Sequence, residues 1–162
     1  MKNILFHTIL FSFLSATTIN IPADYSTIQE GFDASVDGDT VLVAPGIYYE
    51  NLILEKEIVF ASHAINDELG SDWLNNENIT GTIISGAEEP IDPNKGSCLI
   101  VRDGDIQPIV IGFTFKDGDG TSMLVASCDV VEQDIRVRSG GGILMYKAYP
   151  TIMYNRFINN GH

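Results

Sequence analysis

Two segments decide the fold because they align without a gap: PIVIGFTFKDG at residues 108–118 and PTIMYNRFINN at residues 150–160. Val110 falls on Ile152 in this alignment, and Phe115 falls on Phe157. Both segments begin with proline and end in small or polar residues, which are common where a strand gives way to a turn. The chain therefore contains an internal repeat.

The repetition continues upstream of both segments. Leu99 and Val101 match Ile143 and Met145 when the intervening turn differs by two residues. Each unit then consists of three short strands and their turns, about 20 residues in all, a length typical of stacked repeats. Units of this size cannot bury their own apolar faces, so they must stack on one another. We predict a parallel coil in which each strand pairs with its equivalent one turn away.

Other short runs rich in β-branched and aromatic residues extend this pattern. They lie at residues 40–44, 51–54, 57–61, 82–85, 98–102, 108–115, 143–146 and 151–158. No long helical pattern separates them, which argues against alternating strands and helices. A sandwich, a barrel and a solenoid remain as alternatives, and the internal repeat favours the solenoid. The predicted fold class is all-β.

One short helix is predicted ahead of these runs. Ser26 and Gln29 have the spacing of a capping box, with Ser26 as the N-cap. One helical face carries apolar residues that recur at every fourth position: Ile28, Phe32 and Val36. Gly38 provides a C-terminal stop, because glycine adopts the left-handed conformation without steric cost. The helix should span about ten residues by these start and stop signals, and its apolar stripe must lie against the rest of the fold.

Several segments resemble pectin-lyase-like right-handed parallel β-helix proteins, whose relatives include polymorphic outer-membrane-type surface proteins. They are ADYSTIQ at 23–29, DGDTVLVAPGIY at 37–48, EN at 50–51, TIISG at 82–86, IGFTF at 111–115, GGGI at 140–143 and PTI at 150–152. The likeness covers nearly everything from about Ile19 onward. It implies a right-handed parallel β-helix, or solenoid, whose open end is capped by the short N-terminal α-helix. These are packing motifs, so the likeness implies no particular activity.

The first 17 residues have the features of a secretory signal peptide. Lys2 is followed by a mostly apolar run at residues 4–14 and by small residues at 15–18. The run is too short to cross a bilayer as a helix. A buried first strand or helix is the alternative. We expect a secreted or cell-surface protein with no transmembrane segment.

Residues 18–162 should then form the N-terminal cap and first coils of the β-helix domain. A solenoid needs a terminal cap over its last apolar layer and its unpaired strand edges. No such segment follows Asn160. We therefore expect a truncated domain, the N-terminal part of a longer protein.

Composition excludes one class of partner. The chain carries 22 acidic and 9 basic residues, for a formal net charge of −13. Such a surface repels phosphate backbones, so we expect no nucleic-acid partner. The two cysteines, Cys98 and Cys128, lack the spacing of a metal site. They are compatible either with a disulfide or with two unpaired buried thiols.

No catalytic or metal-ligating set is assigned. The acidic turns at residues 103–105 and 117–120 could ligate calcium, but Asp-Gly is also common in ordinary turns and neither matches a full calcium loop. We predict no metal and no cofactor. His7, His63 and His162 form no catalytic motif. The resemblance implies catalytic Asp, Arg or Lys on the outer face of central coils, or paired aspartates in pectinesterases, and no segment matches either motif.

A candidate binding site follows from the alternation of side chains along a strand. If Ile143 and Met145 face inward, Leu144 and Tyr146 face outward, and Ile100 and Arg102 do so one coil earlier. The insertion at residues 121–139 carries several apolar residues: Met123, Leu124, Val125, Val130 and Val131. It should fold over Ile100 and Leu144, because an exposed apolar stripe is usually covered.

Three ligand-binding residues remain at the edge of the resulting groove: Arg102, Tyr146 and Tyr149. The tyrosines could stack on a sugar ring, or they could simply occupy a half-buried surface. The favoured function is a non-catalytic scaffold that binds a polysaccharide, a cell-surface glycan or a partner surface. The alternative is the N-terminal part of a polysaccharide lyase, hydrolase or esterase whose active site lies in later coils.

Overall fold

A computed structural model describes residues 15–128 and 133–161 of the chain. Within them, parallel pairing builds three sheets. Sheet A contains β1 (Thr18–Ile21), β2 (Thr40–Val43), β5 (Val59–Ser62), β9 (Ile109–Ile111) and β14 (Thr151–Met153). Sheet B contains β3 (Gly46–Tyr49), β6 (Thr82–Ser85), β10 (Thr114–Lys116) and β15 (Arg156–Ile158). Sheet C contains β4 (Leu52–Leu54), β8 (Leu99–Ile106) and β13 (Ile143–Ala148).

The remaining elements are insertions between these strands or precede them. A small antiparallel sheet contains β7 (Lys95–Gly96), β11 (Gly120–Cys128) and β12 (Gln133–Ser139). The α-helices are α1 (Ile28–Ala34) and α2 (Glu77–Gly81), and 3₁₀ helices span His63–Asn66 and Trp73–Asn75. Among the described residues the protein is thus mostly β, and none of its sheets closes into a barrel.

The chain visits the three parallel sheets in a fixed order. From β2 it passes to β3 and β4, then to β5, β6 and β8, then to β9, β10 and β13, and finally to β14 and β15. We call each passage through sheets A, B and C a round. Every strand of one round pairs in parallel with the equivalent strand of the next. The pairing of each strand with its equivalent, predicted from the repeat, is confirmed.

The register agrees with the sequence alignment position by position. Phe115 of β10 pairs with Phe157 of β15, and Val110 of β9 pairs with Ile152 of β14. In sheet C, Leu99 lies opposite Ile143. Each of the apolar runs at 108–115 and 151–158 holds two strands, because the chain turns at Gly112 (φ 87°) and Tyr154 (φ 53°) and enters another sheet.

The core consists of side chains from all three parallel sheets and from α1. One cluster of buried apolar residues joins them, and its members in β2, β4, β5, β8, β9 and β10 are fully or almost fully inaccessible: Val41, Val43, Leu52, Leu54, Phe60, Leu99, Val101, Val110 and Phe115. Ile28 and Phe32 of α1 belong to the same cluster. The predicted contact of the helix with the strands is therefore confirmed for these two residues.

The predicted limits of the helix were wrong at both ends. Thr27, not Ser26, is the N-cap, and its side chain forms a capping box with Glu30. Ser26 instead donates its hydroxyl to the Glu30 carboxylate at 2.8 Å. The helix ends at Ala34, and the backbone is already extended at Ser35, so Val36 leaves the apolar face and is 46% exposed.

Two charged side chains from the first round hold the ends of α1. The Glu50 carboxylate accepts hydrogen bonds from the backbone N–H groups of Ile28 (3.0 Å) and Gln29 (3.1 Å). At the other end, Lys56 Nζ donates to the carbonyls of Phe32 (2.6 Å) and Ser35 (2.6 Å). A negative charge at the N-terminus of a helix and a positive charge at its C-terminus both interact favourably with the helix dipole. They fix α1 to the strands on which it packs.

Cys98 is a free, buried thiol. The alternative of a disulfide between Cys98 and Cys128 is therefore wrong. The Cys128 side chain lies outside the part of the chain whose side chains are described. Residues 1–14, which carry most of the predicted signal peptide, also lie outside the described residues. Thr17 is described, and its N–H and hydroxyl both donate to Asp39 Oδ1, at 2.8 and 2.7 Å.

Candidate functional site

The side chains of β8 and β13 alternate across sheet C as predicted. Leu99 and Val101 are fully buried in the core, and Ile143 packs against the same cluster. Ile100 lies on the opposite side of β8, where it is also buried, but outside the core cluster. Met145 is in register with Val101 but is exposed, since no strand of the described residues pairs with the other edge of β13.

The insertion covers the outer face of this sheet. Ile100 and Leu144 form the floor of a groove of about 190 Å³, and Thr121, Ser122 and Met123 of β11 line it as well. The predicted position of the insertion beside Ile100 and Leu144 is therefore confirmed for Thr121, Ser122 and Met123, but it is wrong for Leu124, which is 52% exposed and does not line the groove. The predicted contribution of Val125, Val130 and Val131 falls outside the described side chains.

A second insertion, which sequence analysis missed, lines the groove beside β11. Asp92, Asn94 and Lys95 line the groove, and Lys95 Nζ pairs with Asp92 at 3.6 Å. This wall is held by the antiparallel pairing of β7 with β11, in which Lys95 lies opposite Thr121. The Ser122 N–H also donates to the Asn94 carbonyl at 2.7 Å. A two-residue strand such as β7 has no periodic signal that could have been found in the sequence.

Arg102 lies at the edge of the groove and is held by carboxylates. Its Nε and Nη2 both lie 2.7 Å from Glu55 Oε1, and its Nε lies 3.2 Å from Asp103 Oδ2. These contacts fix the plane of the guanidinium and offset its charge. Arg102 therefore adds a positioned hydrogen-bond donor to the rim rather than an unpaired positive charge. Sequence analysis identified Arg102 but not Glu55.

Tyr146 lies beside Arg102 because the two residues are in register between β13 and β8. Its ring is exposed and lines the groove. Lys147 Nζ lies 5.4 Å from the ring centroid, within the range of a cation–π contact. Tyr146 thus presents an aromatic surface next to an apolar floor and a guanidinium edge.

Tyr149 lies apart from the other two predicted ligand-binding residues. It follows β13 in the turn to β14, where its N–H donates to the Ile106 carbonyl at 2.9 Å, and its side chain is exposed. It is not among the residues that line the groove. The structure therefore brings Arg102 and Tyr146 together and leaves Tyr149 on the adjacent surface.

Three aspartates of the acidic turns occupy left-handed backbone positions. Asp103, Asp105 and Asp117 have φ values of 66°, 58° and 57°, in the left-handed region that aspartate tolerates better than most residues. Among residues 15–128 and 133–161, no group of three or more His, Cys, Asp or Glu side chains could hold a metal ion. His63 stands in a 3₁₀ helix after β5.

Cys98 is not placed to act as a nucleophile. Burial raises the pKa of its thiol to about 11. The Cys98 Sγ lies 3.2 Å from the Lys116 carbonyl, within the range of a sulfur hydrogen bond. A thiol in this state forms little of the thiolate that nucleophilic chemistry requires.

No protein-family model matches the chain, and no curated protein matches it in sequence. No helix of the described residues is long and apolar enough to cross a membrane.

Proposed function

We propose that the chain forms a right-handed parallel β-helix that is exported and binds glycans without catalysis. Two features support the fold: the strands of successive rounds recur in sheets A, B and C in one order, and equivalent strands pair in parallel. Crossovers between parallel strands are right-handed in almost all proteins, which gives the handedness. A crystal structure, or NOEs between the rings of Phe115 and Phe157 in solution, would test the stacking.

The observation that carries the function is the groove on the outer face of sheet C. Its floor is apolar (Ile100, Leu144, Met123), and an exposed aromatic ring, Tyr146, stands at its edge. These residues project from strands, which hold them more rigidly than a loop would. Flat apolar surfaces next to aromatic rings suit the C–H faces of a sugar ring, while hydrogen bonds at the rim set orientation.

The polar rim suits binding better than reaction. Arg102 is paired with Glu55 and Asp103, and Lys95 is paired with Asp92. The cations of such pairs can still donate hydrogen bonds to hydroxyl groups. The lyase, hydrolase or esterase alternative gains no support from this groove, and we favour a binding role.

The test is binding to an array of immobilised oligosaccharides. We expect the unaltered chain to bind a subset of them. Tyr146→Ala should weaken that binding by about tenfold, which corresponds to about 1.4 kcal/mol. Tyr25→Ala is the matched control, because Tyr25 is also exposed but lies ahead of α1, away from the groove. Absence of binding to the array, or equal binding by the Tyr146→Ala variant, would overturn the proposal.

A further inference from the structure

A second and larger groove lies on the outer face of sheet B. Its volume is about 550 Å³, and it shares no lining residue with the groove on sheet C. Ile47 and Tyr49 of β3 and Ile83 and Ser85 of β6 form its floor. The segment after β6 forms one wall, with Glu88 and Pro90, and the turn after β10 forms the other, with Asp117 and Asp119.

Strand alternation presents one row of side chains to this groove. Ile84 and Phe115 are fully buried in the core, so their neighbours Ser85 and Lys116 face outward. Register places Tyr49 beside Ser85, and Ser85 beside Lys116. Tyr49 is 65% exposed, although it stands on a strand that pairs with β6. The groove thus offers an exposed aromatic ring on a rigid sheet.

Ser85 adds a polar side chain to the lining of the groove at the base of this row. The residue as a whole is 5% exposed, but its hydroxyl is not a buried unsatisfied group: among the described residues, Asn51 Oδ1 is the one such atom. The buried Ser62 differs, because its Oγ donates to the Gly112 carbonyl. A ligand hydroxyl in the groove could replace water at the Ser85 hydroxyl.

Charge selects among ligands that carry hydroxyl groups. Glu88, Asp117 and Asp119 line the groove; Asp117 is paired with Lys116 at 2.9 Å and Asp119 with Arg138 at 2.6 Å, so these groups together keep a net negative charge. Carboxylates accept hydrogen bonds from hydroxyl groups but repel other anions. The groove is therefore suited to a ligand that donates many hydrogen bonds and carries no acid group.

We propose that this groove is a second saccharide site, selective for sugars without carboxylate groups. One face of a sugar ring would pack on Tyr49 and Ile47, and its hydroxyl groups would reach Ser85 and the acidic wall. The backbone groups of β6 and β10 already pair on both edges within sheet B, so a peptide that lies on this face gains no backbone ladder from them. The site shares its ligand class, but none of its residues, with the site on sheet C.

Calorimetric titration of the chain with defined trisaccharides tests this. The probes are the neutral β-1,4-linked glucose, mannose, xylose and N-acetylglucosamine trimers, with trigalacturonic acid as the acidic comparison. We expect at least one neutral trimer to bind about tenfold or more tightly than trigalacturonic acid, because of the acidic wall. Glu88→Gln should reduce this difference in affinity, because it removes one negative charge from the groove.

Variants locate the binding and separate it from the sheet C site. Tyr49→Ala should weaken binding of the neutral trimer by about tenfold. Ser85→Ala should weaken it severalfold and leave the Tm unchanged, because no hydrogen bond within the protein is lost. Ser62→Ala is the matched control: it should lower the Tm and leave affinity unchanged.

The possible failures are distinguishable. Binding that is lost in Tyr146→Ala but retained in both Tyr49→Ala and Ser85→Ala overturns this inference and leaves the sheet C proposal standing. Preference for trigalacturonic acid, or no binding of any neutral trimer, also overturns it. If Tyr49→Ala and Ser85→Ala lose binding of the neutral trimer while Tyr146→Ala binds it fully, the result supports the second site alone.

Discussion

The ring of Phe32 in α1 meets the ring of Phe60 in β5 edge to face, with the centroids 4.8 Å apart and the planes at 85°. Phe60 then stacks on Phe113, at 4.2 Å and 24°, and Phe113 lies 5.9 Å from Phe115. Such aromatic pairs contribute free energy beyond the area that they bury. A column of rings therefore connects the helix to the successive rounds of strands.

Phe32→Ala should destabilise the fold strongly. Phe32 is 2% exposed and ends this column, so its removal leaves a cavity beneath the helix. We expect a loss of about 3–5 kcal/mol in the free energy of unfolding, measured by urea denaturation. Val36→Ala is the control, and it should change stability by less than about 0.5 kcal/mol because Val36 is exposed. A loss below about 1 kcal/mol for Phe32→Ala would mean that the helix does not pack on the strands.

Cys98 should resist modification in the folded chain. Its thiol is buried and its pKa is raised to about 11, so only about one molecule in a thousand carries the thiolate at pH 8. In a Cys128→Ala variant, Ellman's reagent at pH 8 should label no thiol before unfolding and one thiol per chain in urea. Rapid labelling of the native variant would contradict the burial of Cys98.

The Asp39 carboxylate should make stability depend on pH in the acid range. It accepts hydrogen bonds from the N–H groups of Val36 (2.9 Å) and Thr17 (2.8 Å) and from the Thr17 hydroxyl, which lower its pKa from 3.8. Stability from a lowered carboxyl pKa is complete above the unfolded value, and it is lost as pH falls through the folded value.

Asp39→Asn therefore tests this linkage. The Tm of the unaltered chain should exceed that of the variant at pH 7, and the gap should shrink as the pH falls through the lowered folded-state pKa of Asp39, below which both side chains are uncharged. Thermal unfolding followed by circular dichroism from pH 7 to pH 2.5 measures the gap. Glu89→Gln, on the exposed segment after β6, controls for the loss of one charge. A gap that stays constant across this range would refute the role of Asp39.

The order of strands was predictable because it follows from repetition. Two segments that match residue for residue, as at Phe115 and Phe157, turn equivalent side chains to the same side of the sheet, and this fixes both their pairing and the inward parity. The same reasoning placed Arg102 beside Tyr146. These features depend on the local residue pattern and on the stacking of repeats, and both can be read from the sequence.

Two strands of the parallel sheets, β3 and β1, were missed because distant pairing forms them. β3 follows Pro45 directly, and the Pro-Gly pair there is usually a stop signal. It forms nonetheless, since Gly46–Tyr49 pairs with β6 and Tyr48 Oη donates back to the Ala44 carbonyl at 2.9 Å. β1 is likewise held through its pairing with β2. Consequently the groove that contains Tyr49 could not be predicted.

The side chains that surround the predicted site residues could not be predicted from the sequence either. Arg102 pairs with Glu55, 47 positions away, and the wall that carries Lys95 depends on two residue pairs between β7 and β11. No rule of sequence spacing predicts either arrangement. Tyr149 was grouped with Tyr146 because the two are near neighbours in sequence, but the turn after β13 directs the chain into sheet A and carries Tyr149 away from the groove.

The last described round leaves core-facing positions open to solvent. Phe157 stacks on Phe115, with centroids 5.5 Å apart and planes at 17°, but it is 52% exposed. Met145, which is in register with the buried Val101, is exposed as well. Among the described residues, β13, β14 and β15 each pair on one edge only. Exposed apolar surface beside unpaired strand edges promotes association.

Residues 18–162 prepared as an isolated chain should therefore self-associate. We expect the mass from light scattering to rise with concentration, and Phe157→Lys to reduce this rise, because a charged side chain opposes both apolar contact and strand pairing at the open end. Tyr25→Lys, at an exposed position ahead of α1, introduces the same charge elsewhere and should leave association unchanged. A monomer at all concentrations, or an equal effect of the two lysine substitutions, would show that the open end does not mediate association.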